Sequence, residues 1–285
     1  SKIYECHNSN IDIFMLIDEE HKYRDTANKY VANIHPVHVL RISATPVTVA
    51  DHVEIISDNE VIGAGLIAMG ISVNEGVTYA IQENNNLDDD LMLLELADKK
   101  RIEIKKEYEK LGLDINPLVV IQFPNGNPEW IDRVKQALDD MGYPESSGFV
   151  ASWFSGDHPD KPEEIIKING EYRFLLFKQA IATGWDCPRA KILVKLREGG
   201  TERFNIQTVG RIRRMPERKH YESDLLDCCY LYTLDSQFSE GLTSSISDSF
   251  YTYQHKKKIG IFNISLTREI LDGNDRISVN PEAVV

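Results

Sequence analysis

A chain of 285 residues holds one large or two modest domains, at roughly 100–200 residues each. With 42% hydrophobic and 27% charged residues it has the make-up of a globular protein, which excludes global disorder and a fibrous repeat. A net charge of −13 excludes a uniformly basic nucleic-acid-binding domain but leaves room for a local basic patch.

No apolar run reaches the 18 residues of a membrane span and no signal-peptide pattern opens the sequence, so a soluble chain without a membrane partner is expected. Cys6, Cys187, Cys228 and Cys229 form neither a CxxC pair nor a Cys/His ladder. They read as reduced thiols of a cytoplasmic protein. His35-Pro36-Val37-His38 reads as a turn entering a strand rather than a metal pair, because proline breaks the helical spacing two ligands would need.

Along the chain, Ile11 to Ile17 is a near-continuous apolar run leading into Asp18-Glu19-Glu20-His21. It predicts a strand buried on both faces, with the acidic residues at the carboxyl edge of a parallel sheet. A second strand, Val37 to Ile42, leads into Ser43-Ala44-Thr45-Pro46, and the polar stretch after it marks the end of a first unit near residue 48. Residues 49–114 read as linker and lead-in, with a helix over 87–112 carrying Leu91, Leu94, Ile102, Ile104, Tyr108 and Leu111 and stopped by Gly112. From 115 to 240 a second α/β series is expected. Its strands are Leu118–Ile121, Phe149–Phe154, Phe174–Phe177, Ile192–Val194 and Cys229–Leu234. A helix opens at Asn127-Pro128-Glu129, and another covers Phe204–Arg214. Residues 241–285 form a C-terminal extension. Strands alternating with helices predict an α/β fold on a parallel sheet.

Three constellations carry chemistry. Asp18-Glu19 after a strand supplies what nucleotide hydrolysis needs: one carboxylate for a bridging metal, a neighbour to activate water. In Gln207-Thr208-Val209-Gly210-Arg211-Ile212-Arg213-Arg214, two arginines three apart share a helix face and can clamp a phosphate, while Gly210 leaves space for a neighbouring backbone. Ala182-Thr183-Gly184-Trp185-Asp186-Cys187-Pro188 offers a hydroxyl and a carboxylate for a nucleic-acid phosphate and a ribose. Between Lys178 and Lys219, eleven Lys or Arg stand against four acids, a local +7 that predicts a polyanion-facing surface.

The ordered set Asp18-Glu19-Glu20-His21, Ser43-Ala44-Thr45, Thr183-Gly184-Trp185-Asp186 and Gln207 to Arg214 resembles motifs II, III, V and VI of superfamily-two helicases. The stretches Phe177 to Pro188 and Gln207 to Pro216 resemble, more narrowly, the Res subunit of type III restriction enzymes, and the similarity runs from about Ile11 to Leu234. It implies RecA-like lobes, the first only in part (1–48) and the second whole. It also implies an ATP-dependent translocase on double-stranded DNA that works with a modification (methyltransferase) subunit.

Residue roles follow from the same resemblance. Asp18 would hold Mg²⁺ through water and Glu19 would act as catalytic base. His21, Ser43 and Thr45 would couple nucleotide state to movement. Arg211 and Arg214, with Gln207 beside them, would reach the γ-phosphate of ATP. Asp186 and Gly184 would meet the nucleotide, Thr183 and Lys178 the DNA, and Val120-Ile121-Gln122 falls loosely on motif IV. No Gly-rich loop ending in Gly-Lys-Ser/Thr precedes Asp18, and no acidic-Lys nuclease motif follows 235. The expectation is an excised piece that does not hydrolyse ATP by itself. Another superfamily-two DNA or RNA helicase, and a non-catalytic scaffold built on a helicase lobe, are the alternatives.

Overall fold

The computed structural model describes residues 2–9, 11–43, 51–77, 88–123, 128–154, 159, 161–178, 185–196, 208–235, 238 and 251–254. The chain divides into two compact units, 1–55 and 56–285.

In the first unit, α1 (Lys2–Asn8) precedes β1 (Phe14–Asp18), and α2 (Glu20–Ile34) crosses over to β2 (His38–Ile42). The two strands pair in parallel, Phe14 opposite His38 through Asp18 opposite Ile42. The hinge between strand and helix is Glu19, whose left-handed φ of 52° turns the chain from β1 directly into α2. Glu20, 1% exposed, lies 3.5 Å from the Arg41 guanidinium, which also donates to Asn28 of α2 at 3.0 Å; helix and sheet are thus tied together. The expectation of a doubly buried strand fails here: Phe14 and Leu16 are 70% and 62% exposed. A sheet of two described strands has one helix to cover it, so only the face carrying Ile17 is closed.

The second unit opens with α3 (Asp58–Gly63), whose Ser57 cap and Glu60 form a reciprocal capping box. Then follow β3 (Gly70–Val73), α4 (Asp89–Lys110), β4 (Leu118–Gln122), α5 (Pro128–Asp140), β5 (Val150–Trp153), α6 (Pro162–Ile166), β6 (Phe174–Phe177), β7 (Ala190–Lys195), a helical stretch at 208–212, β8 (Cys228–Thr233) and β9 (Tyr251–Gln254). The strands form one sheet in the order β5-β6-β4-β7-β8-β3-β9, and every pairing is parallel. This is the α/β parallel architecture the sequence predicts.

Both faces of the sheet are covered. On one, Leu94, Ile104 and Tyr108 of α4 and Val134 and Leu138 of α5 pack on Val119, Ile121, Leu176 and Val194. On the other, Ile165, Val209, Ile212 and Met215 pack on Val120, Leu175, Leu193 and Leu231. Each such side chain contributes about 1.5–3 kcal/mol on leaving water. Residues 56–114, read from the sequence as linker and lead-in, supply β3 and α4, so they belong to this core. Within α4 the predicted apolar set is only partly right: Ile102 and Leu111 are exposed, and Met92, Leu93 and Ala97 are buried in their place. No helix among the described residues is long and apolar enough to cross a membrane.

Candidate functional site

Unit one presents Asp18 and Glu19 where the apolar run predicts them. Asp18 is the last residue of β1 and accepts the Glu19 backbone N–H at 2.8 Å; its other oxygen has no partner among the described residues. Ser43 follows β2 directly. The side chain of His21 and all of Thr45 lie outside the described residues.

Unit two brings three other predicted residues together. The helix expected over 204–214 ends at Ile212 in its described part, 208–212, and Arg214 lies beyond it in a β-bridge with Ile67. The chain is held there from both sides, Ala68 N–H donating to Arg213 O at 2.6 Å and Met215 N–H to Leu66 O at 3.0 Å. Val209, Ile212 and Met215 are buried in the core, which fixes the rotation of the stretch and turns Arg211 and Arg214 toward the 185–186 segment. Arg211 donates to the Trp185 carbonyl, and Arg214 Nη1 lies 2.5 Å from Asp186 Oδ1. Two guanidinium groups thus converge on adjacent residues, although they do not share a helix face. The Arg214–Asp186 pair is open to solvent, at 41% and 63% exposure, so it contributes at most about 1 kcal/mol and is easily exchanged for another anion.

Several expectations need correcting. A Cβ at Gly210 would meet no heavy atom of the described residues within 4 Å, so no described backbone makes a close approach there. The glycine with such an approach is Gly65, where φ is +70° and a Cβ would stand 2.8 Å from Lys219 Cα. The predicted +7 surface is also overstated. Arg189, Lys191 and Lys195 are buried within β7 or just before it, Arg213 pairs with Asp58 at 2.9 Å, and Lys219 pairs with Glu217 at 3.0 Å. Counting charges along a sequence does not distinguish a strand's interior from its surroundings. Lys178, after β6, is half-buried beside the Phe154 ring. Thr183, Gly184 and Gln207 lie outside the described residues.

Sequence reasoning passed over the buried charges. Arg189 is fully buried and donates to three backbone carbonyls: Ile165 (2.8 Å), Asn116 (2.7 Å) and Tyr172 (2.9 Å). Lys191 is also fully buried, its ammonium 3.3 Å from the Met215 sulfur, and burial pushes its pKa below the usual lysine range. The signal available was a basic residue inside an otherwise apolar strand. A cavity of about 590 Å³, lined by Gly70, Ser72, Glu75, Lys100, Asp227 and Tyr230 among others, contains none of the residues predicted to bind or act on a ligand.

No protein-family profile matches the sequence, and no curated protein is similar to it in sequence. Several solved structures are similar in fold. A Dbp5 variant from S. cerevisiae bound to RNA and ADP BeF3 is 10% identical over 89% of this chain and 63% of its own, with a TM-score of 0.46. A fragment of a putative HsdR subunit of a type I restriction enzyme from Vibrio vulnificus YJ016 is 16% identical over 85% of this chain and 48% of its own, at 0.47. The helicase Lhr from Mycobacterium smegmatis bound to ssDNA and AMP-PNP is 12% identical over 80% of this chain and 29% of its own, at 0.44. The chain therefore spans less than two thirds of each of these solved chains.

Proposed function

We propose that this chain is the motor portion of an ATP-dependent DNA translocase of the type III restriction Res kind, built on RecA-like lobes and acting on double-stranded DNA with a modification (methyltransferase) subunit. The observation that carries the reading is the convergence of Arg211 and Arg214 on the Trp185-Asp186 segment, because motifs V and VI of the resembled family must lie side by side to act on one nucleotide.

In this reading Arg211 and Arg214 hold the γ-phosphate, and Gln207 supports them. Asp186 keeps Arg214 extended until the phosphate takes its place, then turns to the ribose beside Gly184. A solvated pair suits that exchange, since little is lost when it breaks. Asp18 fits a hydrated cation: it is exposed at a strand's carboxyl end and keeps one oxygen without a partner among the described residues. Bound Mg²⁺ would neutralise charge on the phosphates. Glu19 orients and deprotonates the attacking water. His21, Ser43 and Thr45 pass nucleotide state to the backbone, and Thr183 and Lys178 hold DNA phosphates. Catalysis is then positioning and electrostatic stabilisation rather than covalent chemistry.

The test is steady-state ATP turnover by the intact parent enzyme with its modification subunit, with double-stranded DNA, single-stranded DNA or RNA added. Double-stranded DNA should stimulate turnover, and Arg214→Ala should lower it by about 10³-fold or more while DNA affinity stays within about twofold. Stimulation by RNA alone would point to a different helicase. Unchanged turnover in the variant would remove the finger assignment, and absence of any nucleotide affinity would favour a scaffold.

A further inference from the structure

The cavity of about 590 Å³ in the second unit lies on the face of the sheet that α4 covers, and every residue lining it is described. Val209 and Ile212, which aim the arginine pair, pack on the opposite face, so the cavity is independent of the motor reading. Its volume is that of a small-molecule site. The sequence of β3 creates it. Ile71 and Val73 pack into the core of the other face, which leaves Gly70 and Ser72 on this one, opposite Cys228 and Tyr230 of β8. Two residues with little or no side chain thus stand where an apolar pair would fill the space, and Met69 and Leu225 complete the apolar wall.

The two ends of the cavity differ in charge balance. At one, the Lys100 ammonium donates to Glu75 at 2.9 Å and to Glu103 at 2.7 Å, and lies 5.0 Å from the centre of the Tyr230 ring. Ser72 donates to the same Glu75 carboxylate at 3.1 Å. The protein here holds an ammonium of its own between carboxylates and an aromatic face. At the other end stand Asp224 and Asp227. Asp227 is 4% exposed and accepts the backbone N–H groups of Tyr221 at 2.7 Å and Ser223 at 3.1 Å, but neither it nor Asp224 forms an ion pair among the described residues. Lys191, whose charged form Asp227 favours, is held on the far side of the sheet against Met215. A buried carboxylate without a counter-charge is costly, and in a cavity wall it calls for a cation that enters from outside.

Spacing and polarity narrow that cation. Asp227 directly precedes β8, and Tyr230, opposite the Ser72 that binds Glu75, lies three residues further on; the two acidic ends are therefore about 10 Å apart along the strands. Three carboxylates against one ammonium in the lining repel an anion such as phosphate. A metal ion at one end would leave the apolar middle uncovered. A linear molecule with an ammonium at each end and methylenes between them suits both ends and the middle. We propose that the cavity binds an aliphatic polyamine, with one ammonium on Asp224 and Asp227, the methylene stem along Leu225 and the Tyr230 ring, and a second ammonium beside Glu75. Carboxylate oxygens accept more than one donor, so Glu75 serves Lys100 and the ligand together.

Isothermal titration of the full chain with spermidine tests this, in about 0.15 M salt to screen the general attraction of a polycation to an acidic protein. One spermidine should bind per chain, butylamine should bind at least about tenfold more weakly, and Mg²⁺ in the same excess should not displace spermidine. Asp224→Asn should weaken binding about threefold or more. Asp139→Asn, which removes the same charge from an exposed position on α5, should leave it unchanged. Ser72→Leu fills the cavity without changing the charge and should weaken binding at least about tenfold. If Ser72→Leu does not fold, the two Asn variants decide, because both replace exposed side chains. Equal loss in both Asn variants, loss in neither, full affinity in folded Ser72→Leu, displacement by Mg²⁺, or no binding by wild type each overturns the proposal.

Discussion

Replacing Lys191 with methionine removes an ammonium from the interior of β7 and leaves a side chain of similar length and volume. In the wild type the group is fully buried, and its recorded hydrogen-bond acceptor is the Met215 thioether, a weak one. Burial holds the folded-state pKa below the ordinary lysine value, against smaller opposing effects of Cys229, Cys228 and Asp227. Exchanging buried ionic groups for apolar ones of like size typically stabilises by about 1–4 kcal/mol. For a unit of this size each kcal/mol raises Tm by about 2–4 °C, so Lys191→Met should melt at least about 2 °C above wild type at pH 7.

The pH dependence gives the sign. Between the lowered folded pKa and the unfolded value near 10.4, the unfolded chain binds more protons, so wild-type stability rises with pH across that window. The advantage of the variant is therefore complete below the folded pKa and shrinks toward zero as pH passes about 10.5. Thermal melts of both proteins from pH 6 to 10.5 read this out as a difference in which other titrating groups cancel. A variant that melts below wild type at pH 7, or an advantage that does not change with pH, would refute the reasoning.

Arg189→Met should cost at least about 3 kcal/mol in urea unfolding, because it strands three buried carbonyls that the guanidinium now satisfies; a loss under about 1 kcal/mol would show that water replaces it. Gly65→Ala should destabilise by about 1–3 kcal/mol, since a Cβ there meets the Lys219 backbone at 2.8 Å and φ is +70°. Its effect should concentrate on the 66–68 and 213–215 pairing, seen as faster amide exchange of Ala68 and Met215, and unchanged exchange would contradict that.

The parts of the fold that the sequence made legible are those where local pattern and burial agree. Leu118–Ile121, Phe174–Phe177 and Cys229–Leu234 are apolar runs because their strands are covered on both faces, and each matches a strand to within a residue or two. β3 escaped because Gly70 and Ser72 break its apolar run, and its four residues reach burial through neighbouring strands rather than through their own pattern. The opposite error befell β1, whose apolar run matched a buried strand while the structure leaves Phe14 and Leu16 exposed. In the site, the place of Asp18 at the end of β1 was legible from the apolar run before it, whereas Arg211 and Arg214 approach one segment without the shared helix face that their spacing predicts. The pairing of Arg214 with Asp186, 28 positions earlier, was not legible, because it depends on how β7 and the 66–68 segment hold the chain. The basic surplus misled for a related reason: Arg189, Lys191 and Lys195 have their charges inside the sheet, where partners and burial, not solvent, set their properties.

If Arg211 and Arg214 clamp the terminal phosphate of ATP, the γ-phosphate should feel them. Phosphorus-31 NMR of Mg-ATP titrated with the full chain reports each phosphate separately and reaches millimolar affinities. The wild-type chain should shift and broaden the γ-phosphate line more than the α line, and the Arg211→Ala/Arg214→Ala chain should lose the γ effect. An identical γ-phosphate response in the double variant, or none in the wild type, would contradict the assignment.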